Sequence, residues 1–211
     1  DSVSNPSEME TKKSREQEKT PFLDAYKAYL ESDPVPFDVP GHKLGNFEAD
    51  LSRKLSPCFS KYVANAPIVL DNLYHAKGVI KEAEDLAAKA CHADHCLFSV
   101  NGTTGAILTR FRSTLHAKDK VIRPRNIHKS VVNGLILSGA TPIFVNPFID
   151  EELGVACQRR RDDLIKARDE NKDAKAVFII NPTYFGVTSD LKKIVEEAHN
   201  RNRIVRCDEA H

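Results

Sequence analysis

The 211-residue chain carries 31 Lys and Arg against 30 Asp and Glu, and 41% of its residues are hydrophobic, enough for one sizeable core or part of a larger one. A formal net charge of +1 supplies no bulk attraction to nucleic acid or to an acidic membrane surface. No apolar run approaches the ~20 residues of a membrane span, and no signal-peptide pattern opens the chain. Its five cysteines (Cys58, Cys91, Cys96, Cys157, Cys207) are odd in number and thinly spread, so no disulfide framework is expected and a reducing, cytoplasmic setting is.

Residues 1–20 offer only Val3 and Met9 as larger apolar side chains and are expected to form a disordered charged tail. From Pro21 to Leu30, Phe22, Leu23, Tyr26, Tyr29 and Leu30 fall at helical spacing. A Pro-rich stretch ending at Pro40-Gly41 then forces an extended path, so residues 21–65 read as an arm. Residues 66–211 read as the body. Gly78–His92 predicts a helix, with Ile80, Ala83, Ala87, Ala90 and Cys91 near one face. Strands are predicted at Cys96–Val100, Lys120–Arg123, Thr141–Val145, Ala176–Ile180 and Ile204–Cys207. Helices are predicted between them at Ala106–His116, His128–Ser138, Asp162–Asn171 and Leu191–Asn200. Such alternation implies an α/β fold, a mainly parallel sheet with helices on both faces.

In such sheets ligands bind beyond the carboxyl ends of the strands, so the strand-following residues carry the chemistry. Asn101–Gly105 leaves small residues, free amides and two hydroxyls at a helix N-terminus, an arrangement suited to phosphate, although an ordinary capping turn looks the same. The segment is neither a Walker A loop nor a G-x-G-x-x-G turn. His128 follows a strand beside Arg125 and Lys129. Lys129 could form a Schiff base but reads more simply as a solvated charge at a helix start. Asp208 ends the last strand, as a ligand-facing carboxylate or a simple cap. Asp208-Glu209-Ala210-His211 also spells a helicase magnesium box, which the missing lysine loop excludes. Cys91-His92-Ala93-Asp94-His95-Cys96 offers zinc ligands too tightly spaced to wrap one ion, so no metal site is expected.

Six motifs in order carry a resemblance: Pro40-Gly41-His42-Lys43, Asn101–Thr104, Pro124–Ser130, Leu135–Ala140, Asn181–Val187 and Asp208–His211. Together they resemble the Orn/Lys/Arg decarboxylases of the pyridoxal-phosphate fold type I, from about Thr20 to the last residue. The resemblance implies an aspartate-aminotransferase-like large domain. Gly102, Thr103, Thr104 and Gly105 would hold the phosphate of pyridoxal 5'-phosphate, and His128 would stack on its ring. Asp208 would bond the protonated pyridine nitrogen and His211 would sit close by, which makes His128, Asp208 and His211 the catalytic candidates. The implied reaction converts lysine, ornithine or arginine to cadaverine, putrescine or agmatine with loss of carbon dioxide, as in polyamine biosynthesis. A homodimer or larger oligomer is implied, with no nucleic-acid or membrane partner.

Two departures stand out. Gly105 replaces the Ser or Thr common in the family, and Cys91-His92-Ala93-Asp94 replaces a Gly-Ala-Asp sequence. The family's Schiff-base lysine lies tens of residues past the Asp-Glu-Ala-His motif, so the chain is expected to be the N-terminal part of a longer protein and inactive as a fragment. Two alternatives stay open: another fold type I enzyme, aminotransferase or aldolase, and a non-catalytic homologue acting as a regulatory or assembly subunit.

Overall fold

The computed structural model describes residues 16–39, 41–45, 50, 54, 60–64, 68–157, 166–167 and 169–210. Pro40, His211, most of the expected tail and much of the predicted helix 162–171 lie outside them. The chain divides into two compact units, Asp1–Phe98 and Ser99–His211.

In the first unit, α1 (Pro21–Glu31) starts with proline, whose fixed φ and missing N–H suit a first helical turn. Tyr26 is its buried residue, stacked between Phe22 and Tyr29, and its hydroxyl donates to the Lys61 carbonyl at 2.9 Å. Helix α1 packs on α2 (Val79–Ala90), rich in Ala, Glu and Lys. The buried stripe of α2 is Ile80, Glu84 and Ala88. Ala83 and Ala87 are half-buried beside it, whereas Ala90 and Cys91, expected on this face, are exposed. Glu84 is tolerated inside because its carboxylate accepts the Phe98 amide at 3.2 Å. Cys96–Val100 does not form the expected strand. It carries no ladder pairing among the described residues, and Leu97 stays 81% exposed. Apolar character alone cannot hold a strand whose backbone lacks a neighbour.

The second unit is built on a parallel sheet of four strands, β1 (Lys120–Pro124), β2 (Thr141–Val145), β5 (Ala174–Ile180) and β6 (Ile204–Asp208), in the order β2-β1-β5-β6. A two-stranded antiparallel hairpin, β3 (Phe148–Ile149) and β4 (Ala156–Cys157), follows β2 and was not foreseen in the sequence. Alternate side chains of the sheet feed two cores. Val121, Ala176, Phe178 and Ile180 meet Ile107, Phe111 and Leu115 of α3 (Gly102–Thr114) and Val131 and Leu135 of α4 (Lys129–Ser138). On the opposite face Ile122, Val145, Val177 and Ile179 meet Leu191 and Ile194 of α5 (Leu191–His199). With both faces covered, β5 is almost continuously apolar and buried.

Candidate functional site

After α3 ends at Thr114, a few residues lead straight into the start of β1, so the N-terminus of α3 lies toward the carboxyl end of the sheet. The residue after β5 and the last residue of β6 reach the same end, where the Asn181 amide donates to the Asp208 carbonyl at 3.0 Å. One cavity of about 340 Å³ opens there, and its lining includes Asn126, His128, Thr183 and Asp208. Ile180 and Ala156 add apolar wall, and Tyr184 and Phe185, packed edge to face at 5.4 Å, form an exposed rim.

Asp208 is 7% exposed, and one carboxylate oxygen accepts the Ala210 amide at 3.3 Å. A carboxylate so shielded from water is suited to a charge-assisted bond with a cationic N–H. Thr183 is buried, and its hydroxyl oxygen accepts the Val187 amide at 3.2 Å, which shapes the turn after β5. The Asn181–Pro182 peptide in that turn is cis, and the Asn181 side-chain oxygen accepts the Ser189 amide at 2.9 Å. Cys207, next to Asp208, is no nucleophile: burial, then the charges of Glu209 and Asp208, push its thiol up to about 12.

His128 is the N-cap of α4, its ring exposed and its Nδ1 accepting the Ser130 amide at 3.2 Å. In that contact Nδ1 is the accepting nitrogen of the ring. A flat heterocycle can lie against such a ring.

Helix α3 begins at Gly102 rather than at Ala106, so the expected phosphate turn is itself the first helical turn. Gly102 takes φ +64°, a left-handed geometry open to glycine, directly after Asn101. Asn101 makes no side-chain cap, and Gly102, Thr103 and Thr104 are exposed. The Gly105 amide donates back to the Asn101 carbonyl at 3.2 Å. The three preceding amides have no intrahelical acceptor, which makes this end a ready anion site. A Cβ on Gly105 would lie 2.6 Å from the Asn101 Cβ, so glycine is what this turn accommodates.

The structure thus gathers His128 and Asp208 around one cavity, while Gly102, Thr103, Thr104 and Gly105 lie at the α3 N-terminus and do not line it. His211 falls outside the described residues. Asn126 and Thr183 belong to the strand-following segments that sequence reasoning singled out, yet were not chosen as site residues. Ala156 came without a signal, because the hairpin that delivers it has only two residues per strand.

A helix-covered parallel sheet with an open helix N-terminus and a shielded carboxylate at its carboxyl end defines an α/β domain with its candidate site at the strand ends. Residues 20–211 match the family described as Orn/Lys/Arg decarboxylase, major domain, and the chain belongs to that family. Arginine decarboxylase of Halalkalibacterium halodurans is 42% identical over 203 residues, covering 92% of this chain and 40% of that protein. Arginine decarboxylase of Bacillus subtilis is 43% identical with the same coverage of both chains. The chain therefore spans about 40% of the length of these curated relatives. The constitutive ornithine decarboxylase of Escherichia coli is 36% identical, covering 61% of this chain and 20% of that protein. Among solved structures, the E. coli constitutive lysine decarboxylase superposes with a TM-score of 0.67 at 21% identity, covering 79% of this chain and 25% of its own, a likeness of fold. No helix among the described residues is long and apolar enough to cross a membrane.

Proposed function

We propose that the complete protein is a pyridoxal-phosphate-dependent decarboxylase of a basic amino acid, with arginine as the favoured substrate. The observation that carries this reading is the match to arginine decarboxylases at 42–43% identity over 92% of the chain, against 36% over 61% for an ornithine decarboxylase. Residues 21–65 would serve as the arm and 66–211 as part of the cofactor-holding domain, behind a charged tail at 1–20. The complete chain would assemble as a homodimer or larger oligomer.

The residues fit the cofactor. The amides of Gly102, Thr103 and Thr104, with the threonine hydroxyls, would take its phosphate, and Gly105 would contribute through its lack of a Cβ, which keeps the turn tight. The imidazole of His128 would lie against the ring. Asp208 would accept the pyridine N–H, its burial keeping water from competing. His211 is assigned near the cofactor by resemblance alone. When bound, pyridoxal phosphate supplies an electron sink for the α-carbon of the amino acid. Asp208 would hold the proton on the ring nitrogen while Tyr184 and Phe185 shield the cavity mouth.

The test is release of amine from arginine, ornithine and lysine by the complete chain supplied with pyridoxal phosphate. Agmatine from arginine is the expected product, and Asp208→Asn should lower kcat on the order of 10²–10³-fold. Failure to form any of the three amines, or near-normal turnover in Asp208→Asn, would overturn the assignment.

A further inference from the structure

We propose that Ser130 is a positioning residue for His128, fixing the tautomer and the rotation of the imidazole that faces the cavity. Helix N-caps are usually Ser, Thr, Asp or Asn, whose oxygen accepts an amide two or three residues on. At α4 the acceptor is a ring nitrogen: His128, in extended backbone geometry, receives the Ser130 amide on Nδ1 at 3.2 Å. The Ser130 hydroxyl oxygen lies 2.8 Å from the same nitrogen.

Ser130 is 0% exposed, so water cannot reach its hydroxyl, and Nδ1 is the partner at hydrogen-bond distance among the described residues. Since the amide must donate to Nδ1, Nδ1 has no proton of its own, and the hydroxyl proton is the one available for the O···N contact. Two donors from one residue thus converge on one lone pair. One contact would leave the ring free to pivot about the bond, whereas two donors, one of them on the rigid first turn of a helix, hold its plane and direct Nε2–H away from α4. His128 itself is exposed and lines the cavity with Asp208 and Thr183, so the orientation is delivered where a ligand would meet it. The pairing is local, a serine two residues after the histidine, and needs no other element.

The consequence for a cofactor rests on the proposed function; the tautomer does not. The test is ¹⁵N NMR of the complete chain with ¹⁵N-labelled histidine and without added pyridoxal phosphate. Wild type should show Nδ1 unprotonated and Nε2 protonated as one sharp species. Ser130→Ala should give a second tautomer or exchange-broadened ring signals, and Ser130→Thr, which keeps the hydroxyl, should restore the single species. A wild-type ring protonated on Nδ1 would overturn the proposal, whether or not any variant folds. A Ser130→Ala ring spectrum identical to wild type would do the same. With pyridoxal phosphate added, induced circular dichroism should fall several-fold in Ser130→Ala and recover in Ser130→Thr. Lack of an induced signal in wild type would count against the proposed function, while the ring spectra would still decide the role of Ser130.

Discussion

The guanidinium of Arg206 lies 5.3 Å from the centre of the Phe111 ring and pairs with no carboxylate among the described residues. Arg206 is 5% exposed, and both of its terminal nitrogens are buried with no hydrogen-bond partner among the described residues. Arg123 repeats the arrangement over Phe144 at 4.1 Å, its Nε and one terminal nitrogen likewise without a partner. In the sheet register Arg123 stands opposite Phe144 and Arg206 opposite Phe178, so arginine and phenylalanine sit side by side on the face that carries α3 and α4. Burial, then the neighbouring Arg125, brings Arg123 down to about 10; burial, then Arg110, lowers Arg206. Ring faces attract a cation but do not replace its lost hydrogen bonds. Arg206→Met keeps an unbranched chain against Phe111 and removes the desolvated charge, so the free energy of unfolding in urea should rise by about 1 kcal/mol. A loss of similar size would show that the ring contact outweighs desolvation.

The closeness of α3 and α4 depends on Gly134. A Cβ there would lie 2.8 Å from Cγ and 3.1 Å from Cβ of the fully buried Phe111. These atoms sit next to the backbone, so the ring cannot swing clear. Gly134→Ala gains about 1 kcal/mol in helix propensity but overpacks a sealed core at a cost of about 1–3 kcal/mol. The expected result is a net loss of up to about 2 kcal/mol in chemical denaturation, and a higher stability would show that the helices can move apart.

The sheet was readable where burial on both faces leaves an unbroken apolar run, as in Ala176–Ile180, and where turn residues bound it. Cys96–Val100 is also largely apolar but pairs with no strand among the described residues, and composition does not encode pairing. Glu84 was unreadable as a core residue because its compensation, the Phe98 amide, comes from fourteen residues away. That His128 and Asp208 share one end of the sheet was legible because both follow or end parallel strands, a placement that depends on connectivity alone. In the sequence Gly105 stands only as a replacement for Ser or Thr, whereas the Asn101 Cβ leaves no room for a side chain there. A one-dimensional pattern conveys neither that distance nor the left-handed geometry of Gly102 beside it.

Cys207 sits one residue before the shielded carboxylate, and its thiol is pushed up to about 12 by burial first and by Glu209 and Asp208 next. The thiolate is the reactive form, so at pH 8 Cys207 should alkylate on the order of 10³-fold more slowly than an ordinary thiol. Cys91, which is exposed, should be labelled first by iodoacetamide in the folded protein, with Cys207 reacting only after denaturation. Peptide mass spectrometry resolves the two. Early labelling of Cys207 would mean that this end of β6 opens readily.

Asp71 ties the entry to α2 together. Its two oxygens accept the amides of Asn72 at 2.8 Å, Lys77 at 3.1 Å, Gly78 at 2.8 Å and Ile80 at 3.1 Å. Gly78, the N-cap of α2, has no side chain to do this, so an acid seven residues upstream serves the helix instead. Desolvation pushes the carboxyl up, but the four amides together outweigh it and hold the group at about 2, against an ordinary value of 3.8. A folded-state value below the unfolded one gives stability that is fully present above about pH 4 and is lost as pH falls toward 2. Asp71→Asn keeps the shape but not the charge, so it should be less stable than wild type at neutral pH. The gap should narrow between pH 4 and pH 2 and nearly close at the lower end, as followed by urea denaturation at each pH. A gap that stays constant across that window would show that the amides are held by the backbone of the turn and not by the carboxylate.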